Sequence, residues 1–214
     1  MNLKTQPYAE QSEIWPDSGR AILAQYDSTS VVVYQAYRPD IGNFAAENGY
    51  FGGEFKLSRM SWIKPNFLWM MYRSGWASKK DQEVVLAVKL IRSAFDELLG
   101  SAVYSSFKPS IYESRDAWKS AVASSDVRLQ WDPDHSPDGG KLERRAIQLG
   151  LRGVTLEHYT RDWIIDITDV SEFVREQRGN AVPGEYHKLI IPSERVYPVQ
   201  NQNTAEHLRL DHGV

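Results

Sequence analysis

Ser30-Val31-Val32-Val33-Tyr34-Gln35-Ala36-Tyr37, followed by Arg38-Pro39, carries the clearest structural signal in this chain. A run of β-branched and aromatic side chains suits a buried strand, and proline ends it because its nitrogen has no hydrogen to give to a ladder. Directly afterwards, Ile41 to Asn48 reads as a short helix. Asp40 stands at the N-cap position, Phe44 and Ala45 follow Ile41 at helical spacing, and Gly49 closes the segment.

Outward from this unit, Val84-Val85-Leu86-Ala87-Val88-Lys89-Leu90-Ile91 reads as a second strand. Between the two, Lys64-Pro65 is expected to open a helix that Gly75 ends, with Asn66 to Arg73 as its body. Ser93 to Leu99 looks like a capped helix stopping at Gly100, and Ser114 to Val122 like another with Trp118 on its apolar side. Asp126 to Trp131 and Arg145 to Leu151 alternate polar with apolar residues, the period of a strand with one buried face. Asp132-Pro133-Asp134-His135-Ser136-Pro137-Asp138-Gly139-Gly140, between them, has the composition of a loop. Trp163 to Ile167 is a further strand candidate leading into a helix from about Val170 to Gln177, and Tyr186 to Pro192 is the last. Strands and helices are interspersed without a βαβ rhythm, so the expected fold is α+β with a mixed or mostly antiparallel sheet. We expect one domain over 1–214, with a polar tail that frays from about Gln200.

The 214 residues suffice for a sizeable core, and 42% hydrophobic with 25% charged residues is ordinary for a globular chain. The absence of cysteine excludes disulfides, thiolate metal sites and cysteine nucleophiles. No apolar run is long enough to span a membrane and the start lacks the apolar core of a signal peptide, so a cytoplasmic location and no membrane partner are expected. GxSxG, P-loop, GxGxxG and HExxH motifs are missing as well. The net charge of -3 gives no global attraction to nucleic acid.

A local one exists. From Lys56 to Lys80 the chain holds Lys56, Arg59, Lys64, Arg73, Lys79 and Lys80 with no Asp or Glu, and Trp62, Trp69 and Trp76 recur every seventh residue. Cations interleaved with flat rings match the needs of a nucleotide or single-stranded nucleic acid, whose phosphates seek Lys and Arg while bases stack. Seven-residue spacing is equally the period of a buried helical face. Both readings stand at this level. Asp132, Asp134 and His135 could together approach a divalent cation or simply form a turn; no metal is predicted.

Arg59-Met60-Ser61-Trp62-Ile63-Lys64-Pro65-Asn66-Phe67-Leu68-Trp69-Met70-Met71-Tyr72-Arg73-Ser74-Gly75-Trp76 resembles the signature of the family known as domain of unknown function 4291. Tyr34 to Pro39, Gln130 to Pro133 and Arg145 to Leu151 look like its other blocks, over about residues 8 to 198. The family name implies no reaction. A fainter resemblance, in the order strand, short helix and glycine turn, is to ADP-ribosyltransferases. It implies NAD as cofactor and transfer to nucleic acid or protein. Arg38 would orient NAD, Tyr37 or Tyr72 would stack on nicotinamide, and Glu143 would stabilise the oxocarbenium-like ribose. The pattern departs in having no Glu-x-Glu or Gln-x-Glu pair before a strand, and Gln148, the other catalytic candidate, is neutral. A related phosphotransferase class works with arginines alone, which points to Arg38, Arg144 and Arg145; Arg73 and Arg145 join Arg38 as candidate phosphate ligands. The alternative is a non-catalytic nucleic-acid-binding module using Lys56, Arg59, Lys64, Lys79 and Lys80.

Overall fold

A computed structural model describes residues 3–213. In chain order its elements are β1 (Thr5–Pro7), α1 (Tyr8–Ser12), β2 (Gly19–Arg20), β3 (Leu23–Ala24), β4 (Ser30–Tyr37), α2 (Pro39–Asn48), β5 (Ser61–Ile63), α3 (Phe67–Ser74), β6 (Val84–Ile91), α4 (Arg92–Ser101), β7 (Val103–Tyr104) and α5 (Arg115–Ser124). There follow β8 (Val127–His135), β9 (Lys141–Leu151), α6 (Gly153–Arg161), β10 (Ile164–Asp169), α7 (Ser171–Arg178), a 3-10 turn (Tyr186–Lys188), β11 (Ile190–Pro192), β12 (Arg195–Val196) and α8 (Gln202–Leu208).

The fold is α+β with antiparallel and mixed sheets, as the sequence suggests. β6 lies between β4 and β10, antiparallel to both. Alternation puts Val31 and Val33 of β4 into one apolar cluster with Leu86, Val88 and Phe95, and Val32 and Tyr34 into another with Val85, Phe67 and Met70. Both faces are therefore covered, which is why the strand carries no polar alternation. In the second sheet β9 is central. β8 runs antiparallel along one edge, while β2 and β5 take the other edge near Arg144–Arg145 and Leu149–Leu151. Tyr34 and Lys64 exchange backbone hydrogen bonds of 2.7 and 3.3 Å, which ties the edge of the first sheet to the end of β5.

Several boundaries differ from expectation for identifiable reasons. α2 begins at Pro39, with Arg38 rather than Asp40 at the N-cap, because proline's fixed φ suits the first helical position. α3 begins only at Phe67; the Asn66 side chain accepts from Trp69 N at 2.7 Å, so Lys64 and Pro65 stay extended. Gly75 ends it in the left-handed conformation at φ 59. Asp132 to His135 belong to β8, not to a loop. Beyond Leu129 its outer edge has no strand partner among the described residues, so Pro133 is tolerated, and a bulge follows before His135. Tyr186 to Lys188 form a 3-10 turn instead of a strand start. The stretch expected to fray forms α8, which buries Ala205 and Leu208 and whose Leu208 carbonyl accepts from Tyr104 Oη and Trp131 Nε1, both at 3.1 Å.

Candidate functional site

The end of β4, the start of α2, the 54–62 segment, α3 and one face of the β8–β9 hairpin enclose a cleft of about 850 Å³. Arg38 enters it because β4 stops there. Trp69 and Arg73 enter together because they are four residues apart on α3. Gln130 is paired with Gln148 across the hairpin, so both project from the same face into it. Five basic residues, Arg38, Lys56, Arg59, Lys64 and Arg73, line the cleft against two acidic ones, Glu54 and Asp81.

The rim is exposed and loosely paired. Arg38 lies 3.5 Å from Glu54 and 3.7 Å from Asp40, and Lys56 lies 3.8 Å from Glu54, distances that in water contribute little to stability. Arg73 and the Gln82 amide exchange two contacts of 3.2 Å when the amide oxygen faces the guanidinium. The floor is different. Lys64 is only 5% exposed, and burial above all, then the Arg73 charge, pushes its pKa down to about 7 against the opposing pull of Asp132. Asp132 is held by Gln130 Nε2 at 2.7 Å and Gln148 Nε2 at 2.6 Å. Below Ala36, Gln35 Nε2 donates to Tyr37 Oη and Ser61 Oγ at 2.8 Å, and Tyr159 Oη donates to Gln35 Oε1 at 2.6 Å. This closed network keeps the wall rigid. Trp62 packs on Gly150, where an added Cβ would come within 2.6 Å of Met60 Sδ and 3.0 Å of the indole, so glycine lets that ring lie flat against β9.

The family's sequence model, described as a domain of unknown function, matches residues 21–197. The chain belongs to the DUF4291 family. All four sequence blocks that carried the resemblance fall inside that span, and each contributes residues to the cleft of this DUF4291 chain. Comparison with curated proteins returns no match.

Of the candidate residues, Arg38, Tyr37, Lys56, Arg59, Lys64, Arg73 and Gln148 meet in this cleft. Tyr37, however, is held edge-on by Phe51 and Phe55 at 5.7 and 6.0 Å, with its hydroxyl inside the Gln35 network; burial raises its pKa. Tyr72 lies outside, stacked on His135 with centroids 3.5 Å apart. Burial lowers the His135 pKa, and neither ring nitrogen has a hydrogen-bond partner among the described residues. Lys79 closes the end of α3, donating to Tyr72 O at 3.1 Å and Arg73 O at 2.9 Å, and Lys80 is exposed beyond it. Glu143 and Arg145 line a separate cavity of about 450 Å³ on the opposite face of the hairpin. Alternation along β9 separates these odd-numbered residues from Gln148. Asp134 is buried in an ion pair with Arg144 at 2.8 Å, and no group of three or more His, Asp or Glu among the described residues could hold a metal. No helix among them is long and apolar enough to cross a membrane. Sequence reasoning assigned Lys64 to a surface and Asp132 to a loop; the buried bridge from Tyr34 to Lys64 and the Gln130–Gln148 register, both long-range, place them in and behind the floor.

Proposed function

We propose that the cleft binds a nucleotide through its phosphates and performs group transfer on it, with NAD the first candidate. The observation that carries this reading is the convergence of Arg38, Arg73, Lys64 and Gln148 on one cleft from four separate parts of the chain. In this reading Arg38, Arg59 and Arg73 grip phosphate oxygens, because guanidinium donors match that geometry. Phe55 and Trp62, partly exposed in the same cleft, offer faces for stacking. Gln148 gives its N–H to Asp132, which leaves its carbonyl oxygen to accept from a ribose hydroxyl. The order of β4, α2 and the left-handed Gly49 supports an ADP-ribosyltransferase-like use of NAD, in which the glycosidic bond to nicotinamide breaks and the ADP-ribosyl group passes to protein or nucleic acid. The carboxylates on this side are Asp132, behind Gln148, with Glu54 and Asp81 in the cleft lining, whereas Glu143 lines the other cavity.

Incubation of the protein with labelled NAD and with RNA, DNA and protein acceptors, followed by mass spectrometry, tests it. Turnover that disappears in a folded Gln148→Ala variant is expected. Exposed Lys56 and Arg59 at the rim favour a second reading, a nucleic-acid-binding module without catalysis. It gives salt-dependent binding of single-stranded RNA and no adduct.

A further inference from the structure

Two side chains of the cleft are more than nine-tenths buried and short of hydrogen-bond partners. Lys64 makes one long contact, donating from Nζ to the Trp62 carbonyl at 3.4 Å, and its ammonium lies 5.0 Å from the centroid of the Trp69 ring. No carboxylate forms an ion pair with it among the described residues. Trp69 is 6% exposed, and its indole N–H has no acceptor among the described residues. Buried donors are nearly always satisfied, and leaving them otherwise is costly. Both line the same cleft, and Arg73 stands one helical turn beyond Trp69. The three together make a donor-rich patch, in which Lys64 meets only the Trp62 carbonyl and the exposed Arg73 meets the Gln82 amide oxygen among the described residues.

We propose that Lys64 and Trp69 at the cleft floor and the exposed Arg73 beside them form a diphosphate subsite, and that a dinucleotide binds there together with a proton taken up by Lys64. This rests on the reading of the cleft as a nucleotide site and adds which groups hold the diphosphate and how pH governs it. The ammonium is disfavoured in the free site first by burial and second by Arg73. Asp132, the charge that favours it, is already shared between two amides. A diphosphate supplies the missing counter-charge and acceptors, so the bound site holds Lys64 in its charged form. With a free-site pKa of about 7, Lys64 is mostly neutral at pH 8 and mostly charged at pH 6. The affinity is therefore level below neutrality and falls toward tenfold per unit above it. The other charged groups facing the subsite are Arg73 on α3, Asp132 on β8, and Arg38, Lys56, Arg59, Glu54 and Asp81 around the rim.

The test is titration calorimetry of the 214-residue protein with NAD at pH 8 in two buffers of different ionisation enthalpy. The diphosphate of NAD is a diester that does not titrate near neutrality, so proton uptake reports on the protein. Roughly 0.9 proton taken up per NAD bound is expected. Lys64→Met, checked for folding by circular dichroism, should abolish the uptake and weaken binding at pH 6 at least tenfold. Binding by wild type without proton uptake overturns the subsite and leaves the cleft reading standing, and needs no variant to interpret. A Lys64→Met protein that keeps both uptake and affinity overturns it as well. If wild type binds neither NAD nor ATP at millimolar concentration, the cleft reading falls and the subsite with it.

Discussion

The β8–β9 hairpin carries a basic concavity on each face, and the two use their positive charge differently. On the side of Glu143 and Arg145 the guanidinium groups are occupied by the chain itself. Arg145 donates to Trp131 O at 3.3 Å, Arg20 donates to Arg209 O at 3.0 Å and lies 3.8 Å from Asp211, and Arg209 donates to Ser110 O. On the side of Gln148, among the described residues, the Lys64 ammonium has a single long hydrogen bond and the Trp69 N–H has none, although both are buried. Cations bonded to backbone carbonyls hold loops and termini in place. Buried donors without acceptors destabilise the fold, and they are consistent with a place kept for a ligand.

The comparison breaks first if buried positive charge behaves alike everywhere. Arg144, bonded to Asp134 and to the Pro16 carbonyl at 2.7 Å, is the structural extreme. Arg144→Ala leaves the Asp134 carboxylate buried and unpaired, and urea unfolding should show a loss of about 3–5 kcal/mol. Lys64→Met is the opposite case and should stabilise the protein, by on the order of 4 kcal/mol at pH 7. The sign follows from the lowered folded pKa. Between about 7 and 10.5 the unfolded chain binds the proton that the folded chain releases, so wild-type stability rises with pH over that window. The two proteins should therefore converge in thermal melts as the pH approaches 10.5 and differ most at 7 and below.

Smaller effects sharpen the contrast. Gly150→Ala must displace Met60 and Trp62, at a cost of about 1–3 kcal/mol, and should weaken nucleotide binding through the moved ring with the basic residues intact. Lys79→Gln removes only bonds to the last carbonyls of α3. It should cost less than about 1 kcal/mol in a thermal melt and leave NAD affinity unchanged, as should Lys80→Gln.

How much of this was legible in the sequence depended on the range of the interactions involved. β4 and β6 read correctly to the residue, because a strand covered on both faces leaves an unbroken apolar run. The continuation of β8 through Pro133 was hidden because the free outer edge that tolerates the proline is a property of the sheet, not of the segment. α8 was hidden because only Ala205 and Leu208 of its seven residues are buried, too few to mark a periodic face. For the site, Arg38 and Arg73 were legible from charge beside a strand end and a helix. That Glu143 and Arg145 face away from Gln148 follows from alternation along β9 and could have been read. That Lys64 is buried could not, since its cover is Trp69, Tyr34 and the far hairpin, brought together only by the fold.

The central claim is that the Gln148 face, and not the Arg145 face, receives a phosphorylated ligand. NAD affinity measured side by side for wild type, Arg73→Ala and Arg145→Ala tests it most directly. Loss of a charge-assisted contact is worth about 1.5–3 kcal/mol, so Arg73→Ala should weaken binding at least tenfold while Arg145→Ala stays within about twofold of wild type. The reverse order, or equal loss in both variants, would contradict the account.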